Sequence, residues 1–204
     1  MTTLARWHEA WQALGAPRVD EDLCRRLNAC YSEPHRRYHT LQHLAECFAH
    51  LDVLREATER PAEVEIALWF HDAIYDTRRA DNEERSAEWA RDSAVAAGLA
   101  PETAVRIHSL VMATKHQAVP VGRDAEALID ADLGILGAEP ARFDEYEEQV
   151  RVEYSWVPEA LYRSERRKVL QDFAGRRAIY ATERFRVSRE ARARANLARS
   201  LDRL

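Results

Sequence analysis

The sequence predicts an all-α protein that folds as a single-domain helical bundle. Ala, Leu, Glu and Arg dominate its composition, and there are only 6 glycines and 7 prolines among 204 residues. Apolar residues recur at three- and four-residue spacing in one segment after another, and no segment keeps the two-residue alternation of a strand. A chain of this length can bury a substantial core, so we expect one domain over residues 1–204.

Two short helices are predicted at the start of the chain. Apolar residues keep helical spacing over residues 4–14, and Gly15 ends this first helix. Asp20 is expected to cap the second helix, whose apolar stripe continues to Tyr31. We expect these two helices to pack as a lid or brace against the rest of the domain.

The next two helices carry histidines beside apolar stripes. The segment SEPHRRYHTLQHLAECFAHLDVLREA begins irregularly at Pro34 and then becomes helical. His39 and His43 lie four residues apart, so they would share one face of a helix. Pro61 opens the helix PAEVEIALWFHDAIY, which is apolar on all sides and is therefore expected at the centre of the domain.

The second half of the chain continues the helical pattern. Asn82 is expected to cap a helix that ends at Gly98, and Pro101 opens another. After the loop KHQAVPVGRD, the segment AEALIDADLGILG is a short helix that carries Asp130 and Asp132 and ends in glycine. Further apolar stripes predict helices over residues 143–154, over residues 161–173 and in the arginine-rich tail.

Charge, cysteines and the N-terminal segment limit the partners and the compartment. The formal net charge of −5 gives no reason to expect a nucleic-acid polymer or an anionic membrane as partner. Cys24, Cys30 and Cys47 show no CxxC spacing, so we expect reduced thiols. The first residues, MTTLARWHEAWQ, lack the apolar run of a signal peptide or a membrane span. We therefore expect a cytoplasmic protein.

A His-Asp pair lies directly behind the apolar run of WFHDAIYDT. Burying His71 and Asp72 without partners would be costly, so another group should compensate them. His43, His116 and Asp132 lie on or at the ends of other predicted helices, which can bring all five side chains to one point. Such imidazole and carboxylate donors suit a divalent metal ion. Asp130 competes with Asp132, since either could cap a helix or bind the ion.

In these residues the chain resembles the HD superfamily of metal-dependent phosphohydrolases. The strings YHTLQH, WFHDAIYDT, DNEERSA and IDADLGILG are similar to a bacterial branch of predicted HD phosphohydrolases. The resemblance implies a helical bundle of the HD/phosphodiesterase type, with a metal-site core at about residues 35–135 and terminal helices packed around it. It also implies a divalent metal, Mn, Fe, Zn, Co or Mg, held by His43, His71, Asp72 and Asp132.

The same stretch resembles the HDxxED motif of enzymes that hydrolyse ppGpp. Asp76 matches the second acid of that motif, but Tyr75 stands where the glutamate would be. By this resemblance Asp72 and Asp76 are candidate catalytic residues, and Glu83 or Glu84 could replace the missing acid. Both glutamates also lie in the first turn of a predicted helix, where acids stabilise the helix dipole without any chemistry.

Cations and histidines near these motifs are candidates for substrate binding. A phosphoryl transition state spreads negative charge over its oxygens, so Arg36, Arg37 and Lys115 are candidates to hold the phosphate. His116 could be a metal ligand or a substrate contact. His39 could contact substrate, or it could be a structural or second-shell residue. Arg36 and Arg37 could equally form a solvated turn.

These observations together favour a metal-dependent phosphohydrolase that acts on a small phosphorylated metabolite, a nucleotide or a related phosphate ester. A ppGpp-like pyrophosphohydrolase and a di-iron oxygenase are enzymatic alternatives. A third alternative is a non-catalytic ligand-binding module in which the metal only stabilises the fold. A homodimer is compatible with the sequence.

Overall fold

Residues 4–204 are described by a computed structural model; the first three residues of the predicted domain lie outside this described part. The described residues form α-helices and two short 3₁₀ helices and contain no strand, so the predicted all-α class with a single domain is confirmed. The α-helices are α1 (Leu4–Ala13), α2 (Glu21–Cys30), α3 (Leu41–Leu54), α4 (Pro61–Phe70), α5 (Asn82–Ala96), α6 (Pro101–Ala113), α7 (Arg123–Asp132), α8 (Pro140–Glu153), α9 (Glu159–Gly175), α10 (Glu183–Ser188) and α11 (Glu190–Arg203). The 3₁₀ helices are Arg55–Ala57 and Leu133–Gly137.

Helix α4 is the centre of the core, as its apolar surface predicts. Its residues Val64, Ile66 and Trp69 are completely buried, and α1, α3, α5, α6 and α7 all pack against it. Trp7 of α1 meets the Trp69 ring edge to face at 5.2 Å, and Phe48 of α3 lies 5.0 Å away. Each such large side chain contributes about 1.5–3 kcal/mol by leaving water.

Two acids of α4 are buried with it, and arginines from three segments neutralise them. Glu63 accepts two hydrogen bonds from Arg106 of α6, at 2.7 and 2.6 Å. Glu65 pairs with Arg6 of α1 at 2.9 Å and with Arg55 at 3.3 Å. Because a buried unpaired charge is costly, these pairs fix how the neighbouring segments pack on α4.

The predicted helix PAEVEIALWFHDAIY is too long, because α4 ends at Phe70. Tertiary hydrogen bonds replace the helical ones beyond that residue. The Arg36 guanidinium donates to the carbonyl of Asp72 at 2.6 Å, and Ser86 of α5 accepts the N–H of Ile74 at 3.0 Å. The chain therefore turns directly after His71, the C-cap residue.

Two other local predictions were wrong. Helix α3 begins at Leu41 with Thr40 as its N-cap, so His39 precedes the helix and does not share a helical face with His43. The N-cap position of α5 is Asp81, not Asn82. The Asn82 side chain instead bonds the backbone N–H and C=O of Asp76, at 3.2 and 3.0 Å, which closes the preceding loop.

The predicted cap of the second helix was confirmed. The Asp20 side chain caps α2 by accepting the Leu23 N–H at 2.9 Å. Cys24, Cys30 and Cys47 are free thiols. Among the helices of residues 4–204, none combines the length and apolar character that a membrane crossing needs.

The C-terminal helices are tied to α7 through a buried carboxylate. Asp130 accepts the backbone N–H groups of Ala181 and Thr182, both at 2.8 Å, and the Thr182 hydroxyl at 2.5 Å. Burial raises the pKa of Asp130 to about 6. Asp130 is therefore a structural residue that holds the start of α10 against α7.

Replacing Asp130 should destabilise the fold. In Asp130→Ala the N–H groups of Ala181 and Thr182 lose their acceptor, and each buried donor left unpaired costs about 1–3 kcal/mol. Urea denaturation should therefore show a loss of at least about 2 kcal/mol. The exposed control Asp92→Ala should stay within about 0.5 kcal/mol of wild type. Equal stability of the two variants would contradict the assigned role of Asp130.

His50 of α3 should make stability depend on pH. Its Nδ1 donates to the Ala131 carbonyl at 2.9 Å, and burial lowers its pKa to about 4. The pKa of a histidine in the unfolded chain is about 6.5, so folding disfavours the charged ring. Burial of the neutral ring therefore makes stability depend on pH by up to about 3 kcal/mol. This stability is fully present above about pH 6.5 and is lost as the pH falls towards 4.

The measurement compares the unfolding free energies of wild type and His50→Gln between pH 7.5 and about 4.5, a window set by the histidine titration. We expect the gap between the two proteins to narrow as the pH falls. Parallel curves would show that His50 does not titrate as its burial requires.

Candidate metal centre

Four polar side chains converge where α3, α4 and α7 meet. His43 projects from α3, His71 and Asp72 follow α4, and Asp132 is the last residue of α7. The two Nε2 atoms lie 3.1 Å apart. Asp132 Oδ1 lies 3.3 Å from His43 Nε2 and 3.6 Å from His71 Nε2. Asp72 Oδ2 lies 3.0 Å from His71 Nε2 and 3.4 Å from His43 Nε2.

The spacing and orientation of these donors fit a metal ion. Nitrogen and oxygen ligands sit about 2.0–2.2 Å from a divalent ion such as zinc, so two ligands of one ion lie about 3–4 Å apart. His71 donates from Nδ1 to the Leu68 carbonyl at 2.8 Å, which leaves the lone pair of the neutral ring on Nε2. Both imidazoles are buried. A cation held between them and the carboxylates would explain why so many polar atoms share an apolar wall.

Without a cation, protons on the imidazoles have to balance the charge of the neighbouring carboxylates. Burial alone would lower the pKa of His71, but the carboxylates of Asp72 and Asp132 raise it. Burial alone would raise the pKa of Asp72, but His71 and His39 hold it well below its usual range. Metal ligands must be deprotonated, so a bound ion would take the place of the protons.

Cys47 adds a sulfur donor that sequence reasoning treated only as a buried thiol. It lies one turn after His43 on α3, with Sγ 3.6 Å from His43 Nε2. Donor atoms of His43, Cys47, His71 and Asp132 all lie within 4.8 Å of one another, so this buried group could hold a metal ion. The four-residue spacing from His43 is the signal that the sequence offered. Burial raises the pKa of Cys47 to about 11, which keeps the thiol protonated unless a cation displaces the proton.

His116 supports Asp132 from the loop after α6. Its Nε2 lies 3.0 Å from Asp132 Oδ2, and its ring packs 6.0 Å from Phe173. The backbone of His116 has φ +55°, a left-handed conformation that is unfavourable for a histidine. Its contact with Asp132 fixes the carboxylate whose other oxygen faces the imidazoles.

A cavity of about 950 Å³ opens over these residues. Asp72 and Asp132 lie in its wall with His39 and His116, and α8 and α9 close the opposite side. The pocket is large enough for a small-molecule ligand of nucleotide size. The two carboxylates of the group therefore face an open cavity, while His43 and His71 lie buried behind them.

Glu153 of α8 organises the segment before α3, which sequence reasoning did not detect. One of its oxygens accepts the backbone N–H groups of Arg37, Tyr38 and His39, at 2.7, 2.8 and 3.0 Å. The other accepts from His39 Nδ1 at 2.7 Å and from the Tyr75 hydroxyl at 2.8 Å. Burial would raise the pKa of Glu153, but the bond to His39 and these donors lower it to about 2. His39 is thus held with its Nε2 edge away from Glu153, in the wall of the cavity.

The structure gives the three predicted phosphate-binding cations different positions and partners. Arg36 is buried and donates to the carbonyls of Asp72 and Ala73, so its role is to hold the turn after α4. Arg37 is exposed and donates to its own loop. Lys115 lines the cavity but forms an ion pair with Glu84. Neither Arg36 nor Arg37 lines the cavity, and their role as phosphate ligands stays a prediction.

The predicted catalytic acids are also dispersed. Asp72 lies within the metal group. Asp76 is exposed outside the cavity, where its carboxylate accepts the Arg78 N–H at 2.9 Å. Glu83 lines the cavity, and Glu84 is engaged by Lys115. Asp76 is therefore not among the residues that line the cavity, and its catalytic role stays a prediction.

No protein-family model, curated protein or solved structure matches the chain. Its function therefore has to follow from the chemistry of its own residues.

Cobalt(II) should report directly on Cys47. The loaded wild-type chain should show a thiolate charge-transfer band in the near ultraviolet, because Sγ lies among the nitrogen and oxygen donors. Cys47→Ser should still bind cobalt through the remaining donors but lose the band. The matched variant Cys30→Ser, outside the donor group, should retain it. A cobalt-loaded wild type without the band would show that Cys47 only packs.

Proposed function

We propose that the chain is a metal-dependent phosphohydrolase of the HD superfamily that acts on a small phosphorylated metabolite, a nucleotide or a related phosphate ester. One observation carries the proposal. The donor atoms of His43, His71, Asp72 and Asp132 lie 3.0–3.6 Å from one another in the pairs that join imidazole to imidazole and imidazole to carboxylate. They do so beside a cavity that can admit a ligand.

The donor set narrows the choice of ion. Two imidazoles with carboxylates, and a thiol within reach, suit borderline divalent ions such as Mn, Fe, Zn or Co, whereas Mg prefers oxygen ligands alone. A bound ion would supply a water of lowered pKa and would polarise a phosphoryl oxygen.

The chain's own residues have positioning and proton-holding roles. Asp72 and Asp132 each place a carboxylate oxygen beside both imidazoles, and His116 fixes the second oxygen of Asp132. His39, oriented by Glu153 through Nδ1, presents Nε2 as a site that can hold or release a proton near a leaving oxygen. Tyr75 stacks on the His39 ring at 4.2 Å and limits its rotation.

The cavity wall fits an organic phosphate. Tyr154, Tyr162 and Phe173 contribute aromatic surface, and Lys168 and Arg176 contribute donors that are paired with Glu165 and Asp172. The aromatic surface can pack against the organic part of a ligand.

The ppGpp-like alternative is less well supported than hydrolysis of a simpler phosphate ester. That motif relies on acids after the His-Asp pair, and here Asp76 lies outside the cavity while Tyr75 replaces the glutamate. Glu83 is the acid of the DNEERSA segment that remains at the cavity.

The decisive experiment compares wild type with Asp72→Asn for metal content and for hydrolysis of a panel of phosphate esters. Wild type purified without chelator should hold at least about one divalent ion per chain, and Asp72→Asn should lose most of it. Hydrolysis in the variant should fall by about three orders of magnitude or more, because metal and activated water are lost together. The exposed control Asp92→Asn should match wild type in both measurements.

Two results would contradict the proposal. Full hydrolytic activity in Asp72→Asn would remove Asp72 and the metal from the chemistry. A wild type that binds metal, loses thermal stability without it, and hydrolyses no ester with Mn, Fe, Zn or Co would favour the non-catalytic module.

A further inference from the structure

Two buried hydrogen-bond donors line the cavity without a protein partner. They are the hydroxyl of Tyr38, a residue 4% exposed, and Nε of Arg166, a residue 9% exposed. Neither atom has a hydrogen-bond partner among residues 4–204. Buried polar atoms are nearly always paired, so each exception calls for an explanation. Both donors lie in the wall of the same cavity as Asp72 and Asp132, as does the unpaired Nδ1 of His116.

Tyr38 lies directly beside the metal group. Its ring is 4.7 Å from the His43 ring on one side and 4.6 Å from the Tyr146 ring on another. Its backbone N–H is bound by Glu153, which prevents the segment from shifting to find the hydroxyl another partner. The position of the hydroxyl is thus set by contacts that do not involve the hydroxyl itself.

Arg166 extends the same wall from α9. Its guanidinium lies 5.0 Å from the Tyr146 ring, and Nη2 donates to the Tyr146 hydroxyl at 2.6 Å. Nη2 also donates to Glu147. These contacts hold the guanidinium in place while they leave Nε unused. Tyr146 therefore connects the two unpaired donors through direct contact with both side chains.

We propose that Tyr38 and Arg166 form an anion subsite that receives a phosphoryl group of the cavity's ligand. A guanidinium has donors only, and donors of this charged kind bind oxyanions most strongly. Lys168 and Arg176 line the same cavity, where they are paired with Glu165 and Asp172. The subsite lies next to the metal group, so the phosphoryl group it holds would be close to the groups proposed for hydrolysis. The assignment of this phosphoryl group to a substrate rests on the proposed function; the binding of the anion does not.

The conservative variant Tyr38→Phe gives the sharpest test. Calorimetric titration of the full metal-loaded chain with inorganic phosphate should show binding about tenfold weaker than in wild type, the effect of one hydrogen bond to a charged acceptor. The melting temperature should stay the same or rise, because the hydroxyl has no protein partner to lose.

Tyr180→Phe is the matched control, because it removes a buried hydroxyl that has a protein partner. Its hydroxyl is buried and donates to the Leu133 carbonyl at 3.2 Å, and it does not line the cavity. This variant should lower the melting temperature and leave phosphate affinity within about twofold of wild type. Removal of a satisfied hydroxyl and removal of an unsatisfied one should therefore have opposite effects.

Arg166→Lys tests the second donor. Lysine keeps a positive charge beside Glu147 but has no Nε donor, so phosphate binding should weaken by about tenfold. Acetate titrated in parallel identifies the anion. Phosphate that binds more tightly than acetate supports a phosphoryl site, and acetate that binds as well or better overturns it.

Unchanged phosphate affinity in both Tyr38→Phe and Arg166→Lys would overturn the subsite, as would a large drop in the melting temperature of Tyr38→Phe. Failure of the proposed function gives a different result. A wild type that binds phosphate through Tyr38 but hydrolyses no ester keeps the subsite and rejects the hydrolase. A wild type that hydrolyses esters, with KM and phosphate affinity unchanged in both Tyr38→Phe and Arg166→Lys, rejects only the subsite.

Discussion

The structure depends on the burial of imidazoles and carboxylates at the end of its central helix. Helix α4 is surrounded by other helices and stops at Phe70, which lets His71 join the buried donor group and Asp72 reach the cavity. The buried Arg36 makes this stop possible, because its guanidinium takes over carbonyls that the helix would have bonded. The two helical hydrogen bonds that are lost are thus replaced by two hydrogen bonds from the buried guanidinium, which are stronger because the donor is charged.

A second layer of buried carboxylates fixes the segments that carry the donors. Asp130 ties α7 to the start of α10 two residues before Asp132. Glu153 binds three successive N–H groups just before α3, the helix of His43. The C-terminal half of the chain is therefore part of the site's support, since α8 provides Glu153 and the turn before α10 provides the partners of Asp130.

Periodicity could predict the helices and the central position of α4, because both depend on where apolar residues recur. His43, His71, Asp72 and Asp132 could be selected because metal-ligand residue types stood beside apolar stripes. The partners of polar residues could not be predicted in the same way. Glu153 lies more than a hundred positions from the N–H groups it binds, and nothing local distinguishes a buried Arg36 from a solvated Arg37. The early end of α4 was missed for the same reason, since its replacement bonds are tertiary.

The side chains of the cavity wall differ in how far their hydrogen bonding is satisfied. Tyr75 stands where the HDxxED motif has its glutamate. Its hydroxyl donates to Glu153, so the carboxylate near that position belongs to α8. Glu153 accepts hydrogen bonds from three backbone N–H groups, the His39 ring and the Tyr75 hydroxyl. These bonds make that part of the wall rigid. Tyr38 is held by that rigid part through its backbone, yet its hydroxyl is left without a partner. This unpaired hydroxyl is the observation behind the proposed anion subsite, because an acceptor atom of a ligand would complete its hydrogen bonding.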